Sequence, residues 1–250
     1  MFTKSAQFYD ALYHFKDYAA AARQLHALIE QSCPGATTLL DVACGTGQHL
    51  QHLRAHYRVE GLDLNAKLLE IARQRCPGIL FHEENMVDFN LGRSFDVVTC
   101  LFSSIGYVKT IDNLENAISS MSRHLRPGGV LFVEPWFSPE NYCTGRLTVN
   151  FVDQPELKIA WMYLSELRGR ISVSDIHYLV GTPHGVDHFT ERHEMGLFAH
   201  GEYLEAFQKC ELEVRHDPTG LFGRGMYIGI DQRPRNSPKP VRFGENEISR

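Results

Sequence analysis

The sequence predicts an α/β protein with a doubly wound, mostly parallel sheet of seven strands and an inserted antiparallel β lid. Three observations lead to this fold class. A run at residues 39–42 that is apolar apart from Asp41 is followed by a loop that contains Gly45 and Gly47, and then by a helical pattern. Strand-like and helical segments alternate up to about residue 136, which requires crossover connections and therefore parallel strands. Between about residues 140 and 200 the chain is strand-like without a helical period, which is typical of an antiparallel insertion.

Four segments follow from this pattern. Residues 1–139 are expected to form a ligand-binding core with an N-terminal helical cap, residues 140–200 the lid, and residues 201–231 the last part of the core sheet. Residues 232–250 are rich in Pro, Arg, Asn, Ser and Gly and poor in apolar residues, which predicts a disordered tail.

The individual elements are predicted from periodicity and from their breakers. Helices are expected at residues 5–31, 48–56, 66–76, 111–125 and 201–210, the third of them capped by Asn65. Core strands are expected at residues 39–42, 59–63, 79–82, 95–102, 130–136, 211–215 and 226–230. Lid strands are expected at residues 147–151, 158–163, 170–174 and 176–180.

Composition excludes several classes of protein. The 250 residues carry a net charge of −5, so no bulk attraction draws the chain to a polyanion. No apolar run approaches the roughly 18 residues that a membrane span needs, and the first residues lack the apolar core of a signal peptide. The six cysteines show no Cys-x-x-Cys spacing, which is typical of free thiols in a reducing compartment. We therefore expect a cytoplasmic protein with neither a membrane nor a nucleic acid as partner.

The loop after the first strand is expected to lie against a ligand. Glycine is needed where φ is positive or where a ligand approaches bare backbone, and Gly45 and Gly47 stand one residue apart. The second strand ends in Asp63, whose carboxylate is placed to accept hydrogen bonds from a ribose diol. Leu50 occupies the third glycine position of a dinucleotide-binding fingerprint, and the chain has no Gly-Lys-Ser/Thr, so a phosphate-binding loop is not predicted.

The motif Asp-x-x-Cys-Gly-Thr-Gly at residues 41–47, followed by Asp63, resembles the S-adenosylmethionine-dependent (class I) methyltransferases. The resemblance implies S-adenosylmethionine as cofactor, with Gly45 beneath it. Asn85 and Met86 follow the third strand at the same level as Gly45 and Asp63. We predict that Asn85 accepts a hydrogen bond from the adenine amino group while Met86 packs on the ring face.

Aromatic residues crowd the first helical segment. A core-facing stripe is the default interpretation of Phe8 and Leu12. Tyr9, Tyr13 and Tyr18 are better candidates for a cap over the ligand, because aromatic faces attract a sulfonium cation. Tyrosine hydroxyls can also bind a carboxylate or an incoming amine.

The fourth strand delivers residues 102–107 to the switch region of the sheet. Nucleic-acid amino methyltransferases carry a Pro-Pro-aromatic tetrad after this strand, which grips a flipped base. This sequence has no such tetrad, which argues against adenine in DNA or RNA as the acceptor.

Three further segments narrow the resemblance: Phe-Ser-Ser-Ile-Gly-Tyr at residues 102–107, Val-Glu-Pro-Trp-Phe at 133–137 and Gly-Arg-Gly-Met-Tyr-Ile-Gly at 223–229. With them, roughly residues 5–230 resemble the dTDP-3-amino-sugar N,N-dimethyltransferases of macrolide desosamine and mycaminose biosynthesis. The resemblance implies a small-molecule amine acceptor linked to dTDP.

The family's functional residues carry over one by one. Residues 16–18 resemble a Lys-Asp-Tyr segment whose tyrosine lies by S-adenosylmethionine. Tyr107 matches a position close to the sugar amino group, which is His or Tyr in the family, and Arg224 matches an arginine that contacts the nucleotide-sugar. Asn85 replaces the usual Asp, and the tyrosine that the family has near its N-terminus falls at Phe2 or the residue before it.

The candidate site has three groups. The predicted cofactor-binding residues are Tyr13, Tyr18, Asp41, Ala43, Gly45, Asp63, Leu64, Asn85, Met86 and Phe102. The predicted substrate-binding residues are Tyr9, Tyr107, Trp136 and Arg224, and Tyr107 is also the catalytic candidate. No metal site is expected, because the spacing from His188 to His193 is only loosely metal-like and strand alternation places His188 and Glu191 on opposite faces.

The predicted reaction is an in-line SN2 transfer of the sulfonium methyl to an amine. Holding the unprotonated amine behind the methyl can supply roughly 7–11 kcal/mol, so weak help from Tyr107 or a water suffices to remove the proton. Two alternatives stay open: methyl transfer to another small-molecule amine, such as an alkaloid or amino-acid derivative, and a non-catalytic cofactor-binding subunit. Whether the chain forms a homodimer is also open.

Overall fold

Alternating strands and helices build the larger of two sheets in the computed structural model, which describes residues 2–233. The strands of this large sheet are β1 (Thr38–Val42), β2 (Arg58–Asp63), β3 (Leu80–Glu83), β4 (Phe95–Cys100), β5 (Leu125–Val133), β11 (Leu212–Asp217) and β12 (Met226–Asp231). Within residues 2–233 their spatial order is β11-β12-β5-β4-β1-β2-β3, and β12 runs antiparallel to both of its neighbours. The strands from β5 to β3 are parallel. The predicted mostly parallel seven-stranded sheet is confirmed.

The helices cover both faces of the large sheet. They are α1 (Tyr9–Leu12), α2 (Tyr18–Ser32), α3 (Gln48–Leu53), α4 (Ala66–Arg75), α5 (Ile111–Arg123) and α6 (His200–Gln208). The apolar side chains of α2, α3 and α4 join one core cluster, and those of α5 and α6 join another. Asn65 caps α4 as predicted, since its side chain accepts from the backbone N–H groups of Lys67 and Leu68. Among residues 2–233, no helix has the length and the apolar character needed to cross a bilayer.

The prediction of one continuous helix over residues 5–31 is wrong. A 3₁₀-helix at Ser5–Phe8 and the short α1 come first, and α2 begins only at Tyr18. Asp17 is the N-cap of α2, and its side chain accepts from the backbone N–H of Ala20 at 2.7 Å. A short acid side chain offers the backbone a partner at a helix start rather than within a helix. The apolar periodicity of residues 5–31 therefore hid a break between α1 and α2, which the N-cap residue Asp17 marks.

The small sheet is the antiparallel insertion that the sequence predicts. Its strands are β6 (Leu147–Gln154), β7 (Leu157–Leu164), β8 (Glu166–Arg168), β9 (Ile171–Thr182) and β10 (Gly185–Gly196). In the described chain, their order is β10-β9-β7-β6, with β8 beside β9. The two strands predicted at 170–174 and 176–180 are one strand, β9. Strand β10 was not predicted, because it is rich in charged residues and lacks a clear apolar alternation. Its continuous antiparallel pairing with β9 stabilises it instead.

The tail predicted at residues 232–250 lies, from residue 234 onward, outside the described residues.

Close packing between β1, β2 and β3 leaves no room for a side chain at Gly61. An added Cβ would lie 2.7 Å from both the Cys44 sulfur and the Phe81 ring. We expect Gly61→Ala to lower the free energy of unfolding by about 1–3 kcal/mol, the usual cost of overpacking a core. Gly201→Ala is the matched control, because open space surrounds Gly201 in α6 and alanine favours a helix. Urea unfolding of both variants checks this, and equal stabilities would contradict it.

Candidate functional site

The carboxyl ends of β1, β2 and β4 meet at one edge of the large sheet, and a cavity of about 580 Å³ opens there. Its wall contains eight of the predicted site residues: Tyr9, Ala43, Gly45, Asp63, Leu64, Asn85, Met86 and Tyr107. A narrow pocket of about 20 Å³ shares Tyr9 and Ala43 with this cavity and adds Tyr18, Asp41 and Phe102. The structure thus brings most of the predicted cofactor residues together along two neighbouring spaces.

The backbone beyond the strand tips adopts a conformation that residues with a Cβ rarely take. Ala43 follows β1 with φ of 58°, and Phe102 and Ser103 follow β4 with φ of 54° and 60°. The left-handed region costs such a residue roughly 1–2 kcal/mol, and residues held there cluster at functional sites. Gly45 and Gly47 take positive φ as well, as the sequence predicts. Two adjacent strands therefore end in the same unusual way at the cavity.

Asp63 connects the glycine loop to the end of β2. One carboxylate oxygen accepts from the backbone N–H of Gly45 at 2.8 Å, and the other accepts from that of Asn65 at 2.8 Å. Burial raises the pKa of Asp63, while these backbone hydrogen bonds act to lower it. Each carboxylate oxygen can accept more than one hydrogen bond, so Asp63 can also receive hydroxyl groups from the cavity that it lines.

Asp41 lies deeper, in the wall of the narrow pocket at the end of β1. Its carboxylate accepts a hydrogen bond from the Thr99 hydroxyl at 2.7 Å. Burial raises the pKa of Asp41 to about 7; the bond from Thr99 lowers it and the charge of Asp63 raises it further. A cation in the narrow pocket, such as an ammonium group, would favour the ionised form of Asp41.

The N-terminal tyrosines that are predicted to cap a ligand belong to an aromatic cluster beyond the tip of β4. The Tyr13 ring lies between those of Tyr9 and Phe102, with centroid distances of 4.8 Å and 5.1 Å. Phe2 packs edge-on against Tyr9 at 5.0 Å, and the Tyr18 ring packs against His49. Aromatic faces attract a sulfonium cation, so the role of these rings as a cap over the cofactor stays a prediction.

Asp10 in α1 ties this aromatic cluster to the glycine loop. Its carboxylate accepts hydrogen bonds from the Thr46 hydroxyl at 2.7 Å and the Gln48 side chain at 3.0 Å, and it forms an ion pair with Arg75. Arg75 also donates to the backbone carbonyl of Thr46. The cluster and the loop are thereby held as one unit, a contact that the sequence analysis missed because it joins residues far apart in the chain.

The segment before α1, which we call the N-terminal strap (residues 2–5), is clamped between the lid and the core. Glu191 of β10 accepts hydrogen bonds from the backbone N–H groups of Thr3, Lys4 and Ser5 and from the hydroxyls of Thr3 and Ser5. On the core side, Asn65 donates to the carbonyl of Phe2 at 2.5 Å. The strap therefore holds the Phe2 ring in the cavity wall.

The clamp at Glu191 predicts a pH-dependent stability. Burial alone would raise the pKa of Glu191, but the hydrogen bonds from Ser5 and Thr3 outweigh it and lower the pKa to about 2. Because the folded pKa lies below the unfolded value, the stabilisation is complete above about pH 4.5 and is lost as the pH falls towards 2. We expect Glu191→Gln to cost about 1–3 kcal/mol at pH 7 and progressively less as the pH is lowered.

Urea unfolding of the wild type and of Glu191→Gln between pH 7 and pH 3 measures this difference. Glu156→Gln, an exposed position in the turn between β6 and β7, is the matched control and should show no such pH dependence. A difference for Glu191→Gln that stays constant with pH would contradict the prediction.

Two predicted substrate-binding residues contact each other near the tip of β4. In the described part of the chain, Trp136 and Arg224 stand outside the walls of both spaces. The Arg224 guanidinium lies 4.5 Å from the Trp136 ring centroid, and its Nη1 donates to the Ser103 hydroxyl at 3.0 Å. One hydrogen bond and one cation–π contact therefore hold Arg224 beside the tip of β4.

Lys16 is a second basic residue near the tip of β4, and the sequence analysis assigned it no role. Its ammonium lies 2.9 Å from the centroid of the Phe102 ring and 3.6 Å from that of Phe222. The Nζ atom is buried and finds no hydrogen-bond acceptor among the described residues. Burial lowers the pKa of Lys16 to about 7, although the nearby Glu134 acts to raise it. An anionic ligand beside Lys16 and Arg224 would stabilise both charges.

Tyr107 is joined to the lid. Its hydroxyl lies 2.8 Å from Nδ1 of His193, and His193 is buried beneath the strap with its ring 4.8 Å from that of Phe2. The expected strand alternation is confirmed, since Glu191 is buried and His188 is exposed. Among residues 2–233, no group of three or more His, Cys, Asp or Glu side chains is placed to hold a metal ion.

Comparison with known proteins identifies the class. Residues 39–129 match the family described as "Methyltransferase domain". The chain is 40% identical to the dTDP-3-amino-3,6-dideoxy-alpha-D-glucopyranose N,N-dimethyltransferase of Streptomyces fradiae, a match that covers 90% of each chain. It is 39% identical to the dTDP-4-amino-2,3,4,6-tetradeoxy-D-glucose N,N-dimethyltransferase of Saccharopolyspora spinosa, over 90% of this chain and 92% of the relative.

Among solved structures, the chain resembles S-adenosylmethionine-bound CalS10, an amino pentose methyltransferase from Micromonospora echinaspora. The TM-score is 0.82 at 33% identity, over 92% of this chain and 98% of that chain. Fold, motif and comparisons together define an S-adenosylmethionine-dependent methyltransferase. More narrowly, the chain belongs to the family of the dTDP-amino-sugar N,N-dimethyltransferases, as its sequence motifs predict.

Proposed function

We propose that this enzyme transfers methyl groups from S-adenosylmethionine to the amine of a dTDP-linked amino sugar, and does so twice to give an N,N-dimethyl product. One observation carries the proposal: the partly buried basic side chains of Lys16 and Arg224 lie near the tip of β4, and Lys16 contacts the Phe102 ring in the wall of the narrow pocket. A diphosphate needs such paired cations, whereas a simple amine does not. The names of the relatives supply the acceptor class.

The cofactor is proposed to lie along the two spaces. Asp63 would bind the ribose hydroxyls, and Asn85 and Met86 would flank the adenine in the larger cavity. The methionine end would extend into the narrow pocket, where Asp41 can accept a hydrogen bond from the α-ammonium group. The other predicted contacts with the cofactor are Tyr13, Tyr18, Ala43, Gly45, Leu64 and Phe102.

The chemistry asks little of the protein beyond placement. The amine lone pair attacks the sulfonium methyl in line, the carbon–sulfur bond breaks, and the sulfur leaves as a neutral thioether. The nitrogen becomes a methylammonium, which loses a proton to water before a second transfer. Alignment of the two reactants supplies most of the acceleration. Tyr9 and Tyr107 line the cavity wall, from which we propose that they contact the acceptor. A second transfer needs a fresh cofactor, so the strap or the lid must open between the two steps.

The position of the sugar amine is left to experiment, because the relatives at 40% and 39% identity act on a 3-amino and a 4-amino sugar. Incubation with S-adenosylmethionine labelled at the methyl group and both kinds of dTDP-amino sugar should show two transfers to one of them. Transfer to amino-acid or alkaloid amines but not to dTDP-amino sugars would favour the alternative acceptor class. Tight cofactor binding without any transfer would favour a binding subunit.

We also propose that the protein is cytoplasmic and forms a homodimer through the outer face of the small sheet. Exposed apolar side chains cover this face: Leu147, Val149, Phe151, Met162, Leu164 and Leu179. The register places Leu147 opposite Leu164 and Val149 opposite Met162, so they form one patch. An exposed apolar patch of this kind can pack against its own copy in a twofold dimer. Light scattering should measure the mass of a dimer for the wild type and of a monomer for Phe151→Asp. A monomeric wild type would refute the proposed homodimer.

A further inference from the structure

We propose that His193 is a positioning residue for methyl transfer. It accepts a hydrogen bond from the Tyr107 hydroxyl, so that the Tyr107 oxygen presents only lone pairs to the acceptor amine. This inference rests on the proposed function for the role of Tyr107 at the amine. The hydrogen bond itself does not depend on it, since the Tyr107 oxygen and Nδ1 of His193 lie 2.8 Å apart.

The surroundings keep His193 neutral. It is 8% exposed, and burial lowers its pKa to about 4. At neutral pH the ring therefore has one N–H and one bare nitrogen. Burial likewise raises the pKa of Tyr107 well above its ordinary value, so the phenol keeps its proton.

The direction of the hydrogen bond follows from the two partners. An imidazole nitrogen is a better acceptor than a phenol oxygen, and a phenol O–H is a better donor than an imidazole N–H. We therefore assign the proton between Tyr107 and His193 to the tyrosine oxygen, donated to Nδ1. Nε2 then carries the ring N–H, which has no hydrogen-bond partner among the described residues.

This direction has a chemical consequence for an amine acceptor. A hydroxyl that donated to the amine would occupy the lone pair that must attack the methyl. With its proton committed to His193, the Tyr107 oxygen can only accept from an amine N–H, which turns the lone pair away from Tyr107. The hydrogen bond thus orients the nucleophile without removing a proton in the transfer step.

The strap covers His193. Glu191 lies two residues before His193 on β10, and its hydrogen bonds to Thr3, Lys4 and Ser5 hold the strap in place. The Phe2 ring then packs edge-on against His193, with the centroids 4.8 Å apart. The strap and the Phe2 ring thus help to bury the imidazole, which is 8% exposed.

The test compares His193→Leu, which removes the acceptor, with His193→Asn, whose amide oxygen can replace Nδ1 as acceptor. His188→Leu, an exposed position on the same strand, is the matched control. We expect His193→Leu to lower kcat about tenfold, the value of one net hydrogen bond, with the cofactor Kd unchanged. His193→Asn should recover most of the loss, and His188→Leu should behave as the wild type.

A double variant separates positioning from an independent role. If His193 acts through Tyr107, His193→Leu should have no further effect once Tyr107→Phe is present. A full tenfold loss in the Tyr107→Phe background, or a wild-type kcat for His193→Leu, would overturn the proposal.

A spectroscopic measurement keeps the inference distinct from the proposed function. Nitrogen-15 NMR of histidine-labelled, ligand-free protein should show that His193 is neutral and that its Nδ1 is unprotonated. The His193 signals are assigned by their absence from the spectrum of His193→Asn. A protonated Nδ1 would overturn the inference even if dTDP-amino sugars are methylated. An unprotonated Nδ1 in a protein that methylates no dTDP-amino sugar would confirm the hydrogen bond and refute the acceptor assignment instead.

Discussion

Replacing Asp63 by alanine is expected to raise the Kd for S-adenosylmethionine at least 100-fold. Each hydrogen bond from a hydroxyl to a charged acceptor contributes about 1.5–3 kcal/mol, and the proposed ribose contact has two. The substitution also leaves the backbone N–H groups of Gly45 and Asn65 without their acceptor, so the glycine loop loses its anchor. Isothermal titration calorimetry with the cofactor measures the effect.

Asp96→Ala is the matched control for Asp63→Ala. Asp96 is also buried and also accepts from backbone N–H groups, those of Thr37 and Thr38. It is the second residue of β4 and so lies at the opposite end of the sheet. It should lower the melting temperature without changing the cofactor Kd of the folded protein. An unchanged Kd in Asp63→Ala would mean that the ribose assignment is wrong.

The second large effect is expected at Arg224. Arg224→Ala should raise the KM for a dTDP-linked acceptor about 30-fold, the equivalent of about 2 kcal/mol from a charge-assisted contact, while the KM for S-adenosylmethionine changes less than twofold. Arg224→Lys should recover only part of the loss, because lysine lacks the planar fork that binds phosphate oxygens and stacks on Trp136.

Steady-state kinetics with each substrate varied in turn separate the two KM values. Arg215→Ala, an exposed arginine on β11 with a side chain 67% accessible, is the matched control and should leave both KM values unchanged. An equal effect of Arg224→Ala on both substrates would remove Arg224 from the acceptor site.

The sequence was most informative where function depends on local chain geometry. Gly45 and Asp63 could be placed because a glycine turn and an acid at a strand end leave a signature in neighbouring residues, and parallel strands bring such ends together. The cap at Asn65 is equally local. These features explain why the large sheet and most of the cavity wall could be predicted.

The features that the sequence could not predict come from contacts between distant residues. His193 lies on a strand whose composition is charged, and its partner Tyr107 is 86 residues away. Glu191 finds its partners in the strap, 186 residues or more along the chain. Lys16 belongs to a stretch predicted as helix. It lies instead in the break between α1 and α2, where it contacts Phe102. Such pairings have no periodicity and no local motif.

The left-handed residues at the tips of β1 and β4 limit how the enzyme could be re-engineered. At Ala43, Phe102 and Ser103 the backbone itself restricts the choice of residue, since β-branched side chains tolerate positive φ least. Val, Ile or Thr at these positions would therefore add backbone strain. A broader range of acceptors is therefore better sought on the inner face of the small sheet, for example at Tyr163, where regular strand geometry accepts many side chains.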